Sequence, residues 1–325
     1  MRAVITGAAG FIGSRFAEVF LDNAERLGYD DVVLLDALTY SGRRENMDAA
    51  LRDARATFVH GSINDATATD DALAGSDVVV HFAAESHVDR SIAGAHDFFV
   101  TNVLGTQQLL ESARRGGVRR FVHVSTDEVY GSIAVGSWRE DHVLEPNSPY
   151  SASKAGSDLA ALAYHRTYNL DVVVTRCSNN YGPRQFPEKV IPLFVTNLLE
   201  GRSVPLYGDG LNVRDWLHVD DHCAGVLAAL ERGRAGEVYN IGGGTELTNR
   251  DLTTRLLTLT GADESRVEPV ADRLGHDRRY SVDWSKARDE LGYAPSVGFD
   301  DGLAATVAWY RDNEWWWRPL KSAVA

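Results

Sequence analysis

The chain has 325 residues, a formal charge of −13 and two cysteines, neither in a CxxC pattern, and its pI is near 5.2. The acidic excess argues against nucleic acid or an anionic membrane as a partner, since phosphate recognition usually comes with a basic excess. The isolated cysteines suggest neither a disulfide framework nor a zinc site. No apolar run reaches membrane-spanning length. The opening MRAVITGAAGFIG enters a strand and a glycine turn at once, without room for a signal peptide, so a cytoplasmic protein is expected.

Residues 3–6 read as a first strand, and 13–21 carry apolar residues at helical spacing. Strands follow at 32–35 (VVLL), 57–60 and 77–84 (DVVVHFAA), the last almost continuously apolar, as a parallel strand covered on both faces should be. A long helix is predicted over 96–115, a fifth strand over 121–124, a helix over 150–168 and a sixth strand over 171–177 (DVVVTRC). This alternation predicts an α/β fold, a Rossmann-type doubly wound parallel sheet. After Asn179 turns such as NNYGPRQFP and YGDGLN break the pattern. The expected organisation is a dinucleotide-binding domain over 1–178 and, mainly over 179–325, a smaller substrate lobe, with about 215–242 packing back on the sheet.

The turn GAAGFIG places Gly7, Gly10 and Gly13 between a strand and a helix. They allow in turn a tight turn, close approach of a pyrophosphate to the backbone, and close helix–strand packing. Asp36 ends the next strand, where an acid would bind a ribose diol, and its charge favours NAD over the 2′-phosphate of NADP.

The strand at 121–124 runs into Ser125, Thr126, Asp127 and Glu128. Two adjacent acids at the end of an apolar strand are either a polar turn or a paired acid and base. Tyr150 and Lys154 stand at i and i+4, on one helical face. A tyrosine is a poor base at neutral pH. An ammonium nearby, helped by the positive charge of nicotinamide, is expected to favour its phenolate. Thr126 would share the hydrogen bond of a substrate hydroxyl.

With the glycine turn, the strand-end Thr126 and the Tyr150–Lys154 pair in this order, the chain resembles the extended short-chain dehydrogenase/reductase family. Longer stretches narrow the resemblance: AAESHVDRS (83–91), STDEVYG (125–131), YSASKA (150–155), NNYGPRQFPEKVIPLF (179–194), VRDWLHVDDH (213–222), DRLGHDRRY (272–280) and EWWW (314–317) look like the dTDP-glucose 4,6-dehydratases. The Asp127–Glu128 pair is the most diagnostic, because nucleotide-sugar epimerases of similar sequence lack it.

The resemblance implies a lyase that oxidises dTDP-glucose transiently at carbon 4, eliminates water across carbons 5 and 6 and returns hydride to carbon 6. In it Tyr150, Thr126 and Lys154 serve the oxidation, Glu128 is the base at carbon 5 and Asp127 the acid for the 6-hydroxyl. It also implies that Phe11, Ile12, Leu38, Thr39, Ser62, Ile63, Phe82, Ala83, Ala84, Ser86, Thr101 and Asn180 join the glycines, Asp36, Tyr150 and Lys154 around NAD. Ser86, Thr126, Asn179, Lys189, Val190, Pro205, Tyr207, Arg214, Asn249, Arg273, His276 and Tyr280 would hold the nucleotide sugar. A homodimer is implied as well, a four-helix bundle of the helices at 96–115 and 150–168 on their copies, through Phe98, Phe99, Val103, Leu104, Leu109, Leu159, Leu162, Ala163 and Tyr164.

Three residues depart from the pattern: Ser62 where the family has Asp at the adenine, Leu274 in place of a Pro, and Gly244 where larger residues are common. His218 and His222 have the spacing of half a metal site, but no HExxH glutamate or cysteine accompanies them, and no metal is expected. Another nucleotide sugar such as UDP-glucose stays open as substrate, as does a dinucleotide-sensing protein without chemistry.

Overall fold

The computed structural model describes residues 1–322. The first half runs β1 (Arg2–Thr6), α1 (Phe11–Leu27), β2 (Asp31–Asp36), β3 (Ala56–His60), α2 (Ala66–Leu73), β4 (Val78–His81), α3 (Val88–Ala93), α4 (His96–Phe99), α5 (Thr106–Gly116), β5 (Arg120–Thr126), α6 (Pro149–Tyr168) and β6 (Val172–Cys177). There follow β7 (Asn179–Tyr181), α7 (Val190–Leu199), β8 (Val204–Tyr207), β9 (Val213–His218), α8 (Val219–Arg232), β10 (Val238–Ile241), β11 (Glu246–Thr248), α9 (Asn249–Thr260), β12 (Val267–Val270), α10 (Ser285–Leu291), α11 (Phe299–Asp312) and α12 (Glu314–Ser322).

Among the described residues the main sheet has seven strands in the order β10-β6-β5-β4-β1-β2-β3, with every pair parallel. The order reverses between β1 and β4, so their carboxyl ends open the crevice in which ligands of such sheets bind. The valine runs of β4 and β6 are buried along their whole length. One face of the sheet packs on α1 and α8 through Phe16, Phe20, Val226 and Leu230. The other packs on α2, α5 and α6 through Leu73, Leu109, Leu110 and Leu162. This three-layer Rossmann arrangement leaves the carboxyl ends of the strands for the site.

The later chain builds a three-stranded sheet, β11-β9-β7, and a two-stranded one, β12-β8. A third core joins α7, α9, α11 and α12 around Phe194, Leu256, Tyr310 and Trp317. Trp316 and Trp317 are buried in it, and Trp315 faces solvent.

The helix predicted over 96–115 is interrupted by a π-helical stretch, Val100–Gly105, between α4 and α5. The wider turn carries Asn102 inward, where it accepts from the Glu85 N–H at 2.9 Å and donates to the Glu85 carbonyl at 2.9 Å and to Ser153 Oγ at 2.8 Å. Such π turns are common at functional sites. Of the apolar residues expected on an exposed face, Phe98, Leu109 and Leu162 are instead buried within the protomer. Phe98 meets the Tyr150 ring edge-on, and the other two enter the core beneath the sheet. Phe99, Leu104 and Leu159 remain exposed, at 42%, 60% and 56%.

Candidate active site

The glycine turn after β1 is built for close approach. A Cβ on Gly7 would lie 2.6 Å from the Ala83 nitrogen, and one on Gly13 would lie 2.1 Å from the Gly7 carbonyl oxygen. Gly7 has φ +67°, a left-handed conformation that favours glycine. At the end of β2 the Asp36 carboxylate accepts from the Ala9 N–H at 2.9 Å and the Leu38 N–H at 2.7 Å. Burial pushes its pKa up, and the two backbone N–H groups oppose the shift.

A cavity of about 350 Å³ runs along these carboxyl ends. Gly7, Gly10, Phe11, Ile12, Gly13, Asp36, Thr39, Ser62, Ile63, Phe82, Ala83, Ala84, Ser86, Thr101, Tyr150, Lys154 and Asn180 all line it. Leu38 is the one predicted cofactor residue off its wall; its N–H donates to Asp36. The narrow glycine cradle and the strand-end acid fit a dinucleotide. Ser62 Oγ accepts from the Asn64 N–H at 3.2 Å, and Asn64 lines the cavity beside it.

A second cavity of about 180 Å³ is lined by Asn179, Lys189, Val190, Pro205, Tyr207, Arg214, Asn249, Arg273, His276 and Tyr280. Ser86 and Thr126, also predicted for the substrate, face the first cavity. The two cavities share Glu128, Asn179, Asn180, Gln185, Glu188 and Lys189, so Glu128 stands at their junction. Arg214 donates to the carbonyls of Val213 (2.7 Å) and Asp277 (2.9 Å), and its guanidinium stacks 4.2 Å from the centre of the Tyr280 ring. Arg273 reaches Asp89 at 3.5 Å. Arg273 Nε and Asn179 Oδ1 are buried without a hydrogen-bond partner among the described residues, polar atoms that a nucleotide sugar would satisfy. His276 engages Asp272 at 2.6 Å, and Lys189 donates to the Ser86 carbonyl.

Between the cavities β5 ends at Thr126 and turns through a 3₁₀ segment, Asp127–Tyr130. That turn sends the two acids into different surroundings. Asp127 is 2% exposed; its Oδ1 accepts from Thr126 Oγ1 at 3.3 Å, and its Oδ2 has no hydrogen-bond partner among the described residues. Burial first, then the charges of Glu128 and Asp215, push its pKa well above 3.8. Glu128 is half-buried and accepts from Ser151 Oγ at 3.2 Å. A carboxyl pushed towards its neutral form thus adjoins one with a hydrogen-bond donor and access to both cavities.

Helix α6 starts at the Ser148 cap, with Pro149 at its first turn. It is pinned to the sheet by buried Asp158, which meets Arg176 at 2.9 Å and His123 at 3.3 Å. Tyr150 and Lys154 thereby face the end of β5. Lys154 Nζ donates to the Val124 carbonyl at 2.8 Å. Burial opposes the phenolate that this ammonium and the positive charge of nicotinamide are expected to favour at Tyr150. Burial and then Glu128 push the phenol well above 10, against a hydrogen bond from Thr126. Lys154 is itself lowered by burial, against Asp158.

His218 and His222 serve separate structural duties: His222 Nδ1 bonds Asn180 Oδ1 at 2.9 Å, and His218 accepts from the Asp220 N–H. Sequence reasoning missed Glu85, Asn102, Gln185 and Glu188. The first, third and fourth lie inside recognisable stretches, but nothing in the sequence says which of their side chains face a cavity.

The model of the GDP-mannose 4,6 dehydratase family matches residues 4–306. The dTDP-glucose 4,6-dehydratase of Streptomyces antibioticus is 62% identical, over 100% of this chain and 97% of that protein. The chain belongs to the dTDP-glucose 4,6-dehydratase family. The family member DesIV of Streptomyces venezuelae, solved with NAD and dTDP bound, superposes with a TM-score of 0.97 at 63% identity, over 98% of this chain and 100% of that one. The UDP-glucose 4-epimerase of Thermotoga maritima, solved with UDP-glucose, also superposes, with a TM-score of 0.87 at 34% identity, over 97% of this chain and 100% of that one. Likeness of fold therefore does not separate dehydration from epimerisation, and the residues between the cavities must.

Proposed function

We propose that the protein is a lyase that converts dTDP-glucose to dTDP-4-keto-6-deoxyglucose for deoxysugar biosynthesis. The observation that carries this reading is the pair of adjacent carboxyls, one deeply buried with its pKa pushed well up and one half-buried, where the two cavities meet. The glycine turn and Asp36 would hold NAD, which would supply acceptance of hydride from carbon 4 and its return to carbon 6. Tyr150 takes the proton of the 4-hydroxyl, with Thr126 sharing that hydrogen bond and Lys154 supplying positive charge. The 4-ketone acidifies the hydrogen on carbon 5, which Glu128 removes as base. Asp127 gives its proton to the departing 6-hydroxyl, so the sugar loses one water, and carbon 5 is reprotonated when hydride returns to carbon 6. Two carboxyls in opposite protonation states are what such an elimination requires.

Arg214, Arg273 and Lys189 supply cations for the diphosphate, and Pro205 and Tyr207 a platform for the base. The relatives' names favour the thymidine over the uridine nucleotide. The test is incubation with NAD and either dTDP-glucose or UDP-glucose, reading keto-sugar formation. A larger kcat/KM for dTDP-glucose is expected; no keto-sugar, or a preference for UDP-glucose, contradicts the reading.

The same reading takes 1–178 as the dinucleotide domain, 179–325 mainly as the sugar-nucleotide lobe, and 215–242 as partly returned to the sheet; α8 and β10 against that sheet support it. It takes the protein as a cytoplasmic homodimer. Among the described residues no helix is long and apolar enough to cross a membrane. Exposed Phe99, Leu104 and Leu159 support packing of α4, the π-helical stretch and α6 on a second copy. Sedimentation of the native chain and of Leu104→Arg checks this, with a dimer and a monomer expected.

A further inference from the structure

Tyr40 lies in the segment after β2 whose residues Thr39, Ser41 and Gly42 line the dinucleotide cavity. Phe186 and Glu188 line the same cavity from the segment between β7 and α7. The Tyr40 hydroxyl donates to Glu188 Oε1 at 2.8 Å, across 148 positions of sequence. Its ring meets Phe186 edge-on at 5.4 Å, and the Arg90 guanidinium lies 3.7 Å from the ring centre. The Glu188 side chain is 5% exposed, and His87 Nε2 lies 4.0 Å from its other oxygen. Three segments distant in the chain thus meet in one bridge between two walls of the cavity.

We propose that the Tyr40–Glu188 bridge, clamped by Arg90, is a latch that retains NAD in this cleft from one turnover to the next; this rests on the function proposed above. Nothing in the catalytic cycle calls for release of the dinucleotide, because its oxidation state is restored each time. A structure that slows its escape costs no turnover. The cleft must also admit the dinucleotide, so its closure has to be reversible, as a hydrogen bond between neighbouring walls is. Burial and the Glu188 carboxylate both push the Tyr40 phenol up, so it stays a donor to the acid across the physiological range. Glu188 also lines the sugar-nucleotide cavity, and its neighbour Lys189 is tied to Ser86. The latch segment therefore also holds a cation at the substrate.

The test reads dissociation, not activity. Purified full-length protein is loaded with NAD tritiated in the adenine, passed through a desalting column and diluted into excess unlabelled NAD, and the label remaining on the protein is followed. Tyr40→Phe keeps the ring against Phe186 and under Arg90 but leaves a buried carboxylate without its donor. It should release label roughly 10–100-fold faster than wild type, the usual worth of a hydrogen bond to a charged group. Glu188→Gln, which can still accept from Tyr40, should fall between the two. The double variant should be no faster than Tyr40→Phe, as expected for two partners in one interaction. Release from Tyr40→Phe within twofold of wild type, or additive single effects, overturns the latch. Wild-type protein that binds no NAD at all would instead overturn the functional reading on which the latch depends.

Discussion

The acids at the end of β5 and the Tyr150–Lys154 pair on α6 face the same junction, yet burial acts on them in different ways. In the acid pair it separates two similar groups. Asp127 is sealed in and driven towards its neutral form, while Glu128, one residue on, keeps partial exposure and the Ser151 hydroxyl. In the helical pair burial works on both members alike, holding the phenol protonated and lowering the ammonium. Their charged forms are supported from outside the pair, by Thr126 for Tyr150 and by Asp158 for Lys154. In the proposed reaction the elimination half would thus be preset by depth in the protein, and the oxidation half by hydrogen bonds and charges around a buried pair.

The contrast is broken most forcefully at Asp127. Asp127→Asn removes the acid without changing the shape, and dehydration of dTDP-glucose should slow by about 10²–10⁴. Glu128 and the oxidation residues remain, so solvent deuterium should still enter carbon 5. Mass spectrometry of the recovered substrate checks this; loss of exchange together with dehydration would mean that Asp127 acts before the elimination.

A smaller effect belongs to the nucleotide end. Arg214→Lys keeps the charge but loses the planar fork and the stacking on Tyr280. KM for dTDP-glucose should rise by about tenfold, the worth of one hydrogen bond to a charged group, with kcat little changed. A fall in kcat at constant KM would place Arg214 in the elimination instead.

The smallest effect is on stability. The folded state holds the Asp127 proton well above 3.8, so it binds more protons than the unfolded chain once pH exceeds that value. Stability must then fall as pH rises through the raised folded pKa. Asp127→Asn escapes this loss. Its Tm at pH 7 should exceed wild type by about 1–2 °C, the shift expected of roughly 1 kcal/mol in a chain of this size, and the difference should close in acid. A lower Tm at pH 7 would mean that the folded protein favours the ionised carboxylate.

The two halves of the fold were not equally legible. Runs such as VVLL and DVVVHFAA announce parallel strands because a sheet covered on both faces needs no polar alternation, and they form β2 and β4. The glycine turn and the i, i+4 spacing of Tyr150 and Lys154 are local, so they too could be read directly. Strands β7 and β11 have three residues each, too few to establish a period. The π stretch at Val100–Gly105 follows from Asn102 reaching Glu85 and Ser153, contacts no local pattern encodes. Which of Asp127 and Glu128 is buried depends on a 3₁₀ turn, and part of the push on the Asp127 pKa comes from Asp215, nearly ninety positions away. The bond from Tyr40 to Glu188 has no local signal at all.

The central claim, that Tyr150 serves oxidation and Glu128 the following elimination, is tested most directly by rapid mixing of two variants with dTDP-glucose and NAD. In Glu128→Gln the oxidation residues are intact and removal of the carbon 5 proton should slow by about 10²–10⁴. The near-ultraviolet absorbance of reduced dinucleotide should then rise and persist. In Tyr150→Phe that absorbance should stay absent, because the 4-hydroxyl loses its base. Normal turnover by Glu128→Gln, or the same trace from both variants, would contradict the account and return the acid pair to a polar turn at the end of a strand.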